Sequence, residues 1–129
     1  MAIRIVRLGS PRVPNEGVRL GSVRRPPRGV PKEEFGTRDF YDVWLPTLSP
    51  SAPLVKQALA ARTDREWEKF AKRFRSEMAN PDAFALLNVL AAMSRDANFS
   101  LGCYCEDEAR CHRSILRELL RERGAILVD

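Results

Sequence analysis

The sequence predicts an α/β fold: an open, mostly parallel sheet of about five strands flanked by helices, a Rossmann-like three-layer sandwich built as a single domain over 1–129. Three observations predict it. Short β-branched runs near the N-terminus are followed by long stretches with the 3.6-residue period of helices. Residues 99–128 read strand–helix–strand, the order and length of a parallel crossover unit. The chain has 129 residues, 44% of them hydrophobic and 30% charged, which suits one soluble domain with one core.

Each element has a local cause. Ile3-Arg4-Ile5-Val6-Arg7-Leu8 is β-branched and nearly alternating, so it reads as a strand, ended by Gly9-Ser10-Pro11. Val18, Leu20 and Val23 mark a second strand entered from Gly17. Pro26-Pro27 then forbids a sheet interior and stiffens the chain into an extended form. Phe40 to Leu45 is a third strand, stopped by Pro46. Leu54 to Arg62 is a helix with Pro53 at its start. Thr63-Asp64-Arg65-Glu66 is a capping box, and Trp67, Phe70, Ala71, Phe74 and Met78 form one apolar helix face behind it. Asn80-Pro81 opens a third helix with Phe84, Leu87, Leu90, Ala91 and Met93 or Ser94 inward. Phe99 to Tyr104 is a strand, and Glu108 to Arg123 is a helix with Ile115, Leu116, Leu119 and Leu120 inward and Gly124 after its end. Ala125 to Val128 is a short last strand.

Composition narrows the function. The chain carries 22 Lys and Arg against 17 Asp and Glu, a net charge of +5. The excess is local. Residues 1–30 hold seven arginines and one acid, whereas the remainder is close to neutral. Such a segment points to an anionic partner: phosphate, carboxylate or nucleic acid. No apolar run is long enough to span a bilayer, and the first residues alternate charged with apolar side chains, unlike a secretory signal. Three cysteines cannot all pair, which argues against a disulfide scaffold and for the cytoplasm.

One constellation carries chemistry. Residues 101–114 hold all three cysteines and the only histidine, where a strand ends and a helix begins. That junction offers free N–H groups and the positive end of the helix dipole, so it suits anions and reactive thiols. Three chemical readings follow. In the first, Arg110, His112 or Arg113 meets an anionic group and Cys105 or Cys111 is a nucleophile. In the second, Cys103, Cys105, Cys111 and His112 bind zinc; the donors suit that metal, but neighbours on a helix point about 100° apart, which speaks against it. In the third, Cys105 and Arg110 frame an anion loop like that of cysteine-dependent phosphatases and sulfurtransferases, although Glu106-Asp107-Glu108 opposes a phosphate there. A structural role for Cys103 as a small core residue stands beside these.

Arg24, Pro27-Arg28-Gly29-Val30, Leu48-Ser49-Pro50-Ser51, Trp67-Glu68-Lys69-Phe70 and Arg73-Phe74-Arg75 occur in that order, followed by Cys105-Glu106-Asp107 and Cys111-His112-Arg113-Ser114. The ordered set resembles the YeaO-like branch of the DUF488 family, whose name records a domain of unknown function. The resemblance implies a small bacterial or archaeal α/β domain and no established reaction. Two positions depart from the family pattern: Val23 stands where an Asp precedes the first Arg, and Pro26 where an aromatic precedes Pro-Arg-Gly. Asp42 is then the candidate replacement carboxylate from a neighbouring strand.

The combined expectation is a pocket at the C-terminal strand edge, between the Arg24–Gly29 turn and the Cys111-His112-Arg113 helix start. It would bind a small phosphate- or carboxylate-bearing, nucleotide-like ligand. Arg24, Arg28, Arg110, Arg113 and Glu106 are its candidate ligand-binding residues; His112, Cys105, Cys111 and Asp42 are its candidate catalytic groups. No metal and no cofactor are expected. The alternatives are a nucleic-acid-binding protein that is not an enzyme, and a cysteine-dependent phosphatase or sulfurtransferase. The chain is expected to act as a monomer or homodimer, away from membranes.

Overall fold

The computed structural model describes residues 1–128. Four strands form one all-parallel sheet: β1 (Ile3–Arg7), β2 (Val18–Gly21), β3 (Val43–Trp44) and β4 (Phe99–Cys103), in the spatial order β1-β4-β2-β3. Four helices accompany them: α1 (Ala52–Ala60), α2 (Asp64–Glu77), α3 (Pro81–Met93) and α4 (His112–Glu122). The α/β class and the parallel sheet are as expected, with four strands in place of about five. The expected fifth strand at 125–128 is a single parallel bridge between Leu127 and Ile3. It lies beside β1 at the sheet edge and is too short to form a ladder. The expected third strand shrinks to Val43–Trp44, because β2 offers it only Leu20 and Gly21 as partners.

Strand alternation sorts the two sheet faces. Ile3, Leu20, Phe99 and Leu101 pack with Phe70, Phe74, Leu87, Leu90, Leu116 and Leu120, so the main core joins the sheet to α2, α3 and α4. The opposite face shows Arg19, Gly21, Ser100 and Gly102, which meet Glu16, Tyr41 and Leu8. Gly102 has no room for a side chain, since a Cβ there would stand 2.5 Å from a Leu8 methyl. Arg19 is fully buried and shares two charge-assisted bonds with Glu16.

Helix starts match their chemistry. The Thr63 hydroxyl accepts from the Glu66 N–H at 3.1 Å, and Asn80 accepts from the Ala83 N–H at 3.0 Å. The inward face of α3 differs from expectation. Ala83, Leu87, Leu90, Ala91 and Ser94 are buried, whereas Phe84 and Met93 are about half exposed. Residues 83–93 are apolar almost all round, so their periodicity does not fix a face. No helix of the described residues is long and apolar enough to cross a membrane.

The expected helix from Glu108 is broken. Glu108–Arg110 is one 3-10 turn, Cys111 is extended (φ −130°, ψ 150°), and α4 begins at His112. Cys111 is therefore the residue flanking the helix rather than part of it. This break builds the site.

Candidate functional site

Because all strands run parallel, their C-terminal ends form one edge. β4 delivers Cys103 there, and the chain continues through Tyr104 and Cys105 before returning at Cys111 to enter α4. β2 delivers Ser22 to the same edge, where its N–H donates to the Gly102 carbonyl at 2.9 Å. The Arg24–Gly29 turn leaves from that point.

Cys103, Cys111 and His112 are buried, and their donor atoms all lie within 4.8 Å of one another. The half-buried Cys105 places its sulfur 3.9 Å from that of Cys103. The extended backbone at Cys111 turns its thiol toward the imidazole that follows: Cys111 Sγ lies 3.7 Å from His112 Nδ1. The angular argument against these neighbours sharing a ligand fails, since it assumes helical backbone at both residues. The other imidazole nitrogen, Nε2, stands 2.6 Å from the Ser22 carbonyl oxygen and 3.2 Å from its hydroxyl. A carbonyl only accepts, so Nε2 carries the hydrogen. In the neutral ring the lone pair is then on Nδ1, which faces the cysteines.

Arg113 is buried beside them. Its Nη2 donates to the Cys105 carbonyl at 2.6 Å and its Nε donates to Cys111 Sγ at 3.4 Å. The Cys111 thiol is held far below the usual range: the neighbouring Cys103 and Cys105 thiols hydrogen-bond to it, and His112 adds to their effect against the opposing cost of burial. The same contacts with Cys105 and Cys111, and then burial, push Cys103 up. Cys105 also rises; Cys103 draws it down, but Cys111 and burial outweigh that. Tyr41 packs in the same cluster, and its buried hydroxyl has no hydrogen-bond partner.

The other sequence-predicted residues are distributed differently. Arg24 is turned away, donating to the carbonyls of Pro46, Ser49 and Pro50. It lines a cleft of about 710 Å³ with Ser49, Ser51, Glu77 and Asn80; neither Cys111 nor His112 lines that cleft. Arg110 binds Thr63 and Asp64 at the start of α2 and lies 5.9 Å over the Trp67 ring. Glu106 is exposed and pairs with Arg7 at 3.6 Å. Asp42 accepts two bonds from Arg12, at 2.8 and 3.0 Å, and one from the Arg19 N–H at 2.8 Å. Burial works to raise its pKa, but Arg12 and the Arg19 N–H hold it below the usual range. Those partners place it at the start of β3, opposite Arg19, in a structural network. Arg28 is exposed at the turn.

Two features escaped the sequence reading, and Arg25 was legible only as one of three arginines on the proline-stiffened turn. Ser22 is the partner that orients His112, and only the β2–β4 pairing reveals it. Arg25 shares the turn with Arg28, and its carbonyl accepts from the Tyr104 hydroxyl at 2.9 Å. The Glu16–Arg19 pair had a faint signal, the i,i+3 spacing of opposite charges beside a strand.

Comparison with curated proteins and with solved structures gives no match. One family model does match, described as the active DUF488-N3 subclade, and it covers residues 3–124. With nearly the whole chain aligned, this α/β domain with its Cys-His-Arg helix start belongs to the DUF488 family, in that subclade.

Proposed function

We propose that the protein binds a small phosphate- or carboxylate-bearing ligand at the C-terminal sheet edge, over the Arg25–Arg28 turn. One observation carries this reading: the arginines of the basic N-terminal segment are not equivalent. Arg12, Arg19 and Arg24 are consumed by internal bonds, and Arg7 pairs with Glu106. Arg4, Arg25 and Arg28 have no side-chain partner among the described residues. Two of these three share a turn stiffened by Pro26 and Pro27, in which Gly29 takes a positive φ of 71°. The turn is fastened to the cysteine cluster through the His112–Ser22 and Tyr104–Arg25 hydrogen bonds. The stiffened turn fixes the backbone that presents both guanidinium groups, so little backbone freedom is lost when they meet a compact anion. The same distribution speaks against a broad nucleic-acid face, which needs many free cations on one surface. Arg24 and Arg110, expected as ligand contacts, bond to the surrounding loops and to the start of α2. The three unpaired thiols suit a reducing compartment such as the cytoplasm.

A cysteine-dependent phosphatase or sulfurtransferase is the second reading. It rests on the contacts of Cys111 with His112 and Arg113. It ranks second because Cys111 is only 2% exposed, and because Arg110, expected to frame the loop with Cys105, bonds to Thr63 and Asp64 at the start of α2.

Calorimetric titration at low salt with inorganic phosphate and with a nucleoside monophosphate tests the first reading. The double variant Arg25→Ala/Arg28→Ala should weaken the anion that binds at least tenfold, as loss of about 1.5–3 kcal/mol of charged hydrogen bonding requires. Its thermal midpoint should not move. Undiminished binding by the double variant overturns the reading.

A further inference from the structure

We propose that Cys103, Cys105, Cys111 and His112 form a tetrahedral site for one zinc ion. The inference does not depend on anion binding at the turn.

Geometry carries it. Zinc holds thiolate sulfur at about 2.3 Å and imidazole nitrogen at about 2.0–2.1 Å. In a tetrahedron these lengths set S···S edges of about 3.8 Å and S···N edges of about 3.6 Å. The Cys103–Cys105 sulfurs are 3.9 Å apart, and Cys111 Sγ lies 3.7 Å from His112 Nδ1. The donor atoms of Cys103, Cys111 and His112 all fall within 4.8 Å of one another, so the two measured edges belong to one cluster. Cys103, Cys111 and His112 form the preassembled part of the site, and the half-buried Cys105, whose sulfur already lies beside that of Cys103, is the fourth donor that would close on them when the ion binds.

The surroundings supply a second, independent observation. Histidines that bind metals usually donate their other ring N–H to a carbonyl or carboxylate, which fixes ring and tautomer. His112 does this with the Ser22 carbonyl at 2.6 Å, leaving Nδ1 directed at the sulfurs. Three thiolates and a neutral imidazole around a divalent ion leave one net negative charge. The buried Arg113 guanidinium, bonded to Cys111 Sγ and to the Cys105 carbonyl, lies where that charge needs compensation. Thiolate and imidazole donors select zinc over magnesium or calcium, which take oxygen. Four protein donors leave no open position, so the site is structural. It would tie the end of β4 to the start of α4 across residues 104–110, adding to the 3-10 turn and the Arg113 bond to the Cys105 carbonyl that hold this segment.

The test uses the full chain, reduced and freed of metal, titrated with cobalt(II) and then zinc. The expected result is one metal per chain, intense visible absorption of tetrahedral cobalt with sulfur-to-metal charge transfer, and loss of both when zinc displaces it. With zinc bound, the three thiols should resist alkylation. Cys105→Ser, at a half-buried position outside helix and strand, should reduce the charge-transfer intensity by about one third, in proportion to the three cobalt–thiolate bonds it starts from. His112→Cys should restore a tetrahedral site should the His112→Ala variant fail to fold. Arg25→Ala/Arg28→Ala should bind metal as the parent does, which separates this site from the anion site. No metal uptake by the reduced chain, a weakly absorbing octahedral cobalt spectrum, or rapid alkylation of Cys111 in the presence of zinc each overturns the proposal.

Discussion

The Glu16–Arg19 pair sets the largest predicted stability effect, and its size follows from its bonds. The Glu16 carboxylate accepts from Arg19 Nε at 2.8 Å, Arg19 Nη2 at 3.0 Å and the Ser100 hydroxyl at 2.6 Å. Arg19 is 0% exposed, and its Nη1 donates to the Ser10 and Asp39 carbonyls at 2.8 and 2.7 Å. Glu16→Gln leaves a guanidinium buried without its counter-charge, which costs about 3–5 kcal/mol. That is a large part of the roughly 5–15 kcal/mol that holds a domain folded. The pH dependence gives a second measure. Burial works to raise the Glu16 pKa, but Arg19 and Ser100 hold it down to about 2, against an ordinary 4.5. A depressed carboxyl stabilises the fold fully above its unfolded pKa and loses that contribution as pH falls toward its folded pKa. The difference corresponds to about 3 kcal/mol, in line with the first figure. Urea unfolding of the parent and of Glu16→Gln should therefore differ by about 3–5 kcal/mol at neutral pH, and by about 2 kcal/mol less near pH 3. The apolar double variant Glu16→Leu/Arg19→Met should lose less than Glu16→Gln alone. A loss below about 1 kcal/mol at neutral pH, or a difference that does not change with pH, refutes the reasoning.

Three further outcomes are expected. Gly21→Ala sets a Cβ 2.5 Å from the Tyr41 ring, so it should lower stability by about 1–3 kcal/mol, read as a lower urea midpoint with unchanged slope. Tyr41→Phe removes a buried hydroxyl that has no partner and should leave thermal stability equal or raise it by about 1 kcal/mol; a clear loss would show that the hydroxyl is bonded in solution. Thr63→Ala removes the cap that accepts the Glu66 N–H and should cost about 1 kcal/mol, seen as lost helicity and a lower midpoint by circular dichroism.

Most of the fold was legible because its elements announce themselves locally. The capping box at Thr63, the aromatic face of α2 and the leucine face of α4 are each set by neighbours three or four residues away. The face of α3 was not, since a helix apolar all round takes its orientation from what packs on it. In the site, the clustering of three cysteines and one histidine was visible. Its three-dimensional sense was not, because one extended residue, Cys111, interrupts a run whose pattern reads as continuous helix. The allocation of arginines was hidden as well. Arg24 and Arg28 look alike in the sequence, but the carbonyls of Pro46, Ser49 and Pro50 that engage Arg24 lie more than twenty residues away.

The hydrogen bond from His112 to the Ser22 carbonyl has a thermodynamic consequence. It joins the cysteine cluster to the strand from which the arginine turn departs, so the two neighbourhoods share a fixed mechanical element. The imidazole and the root of the turn are thus joined by one direct bond. Any free energy by which the state of the cluster alters anion affinity must then appear, with equal size, as an effect of the anion on the cluster. Measuring either one determines the other.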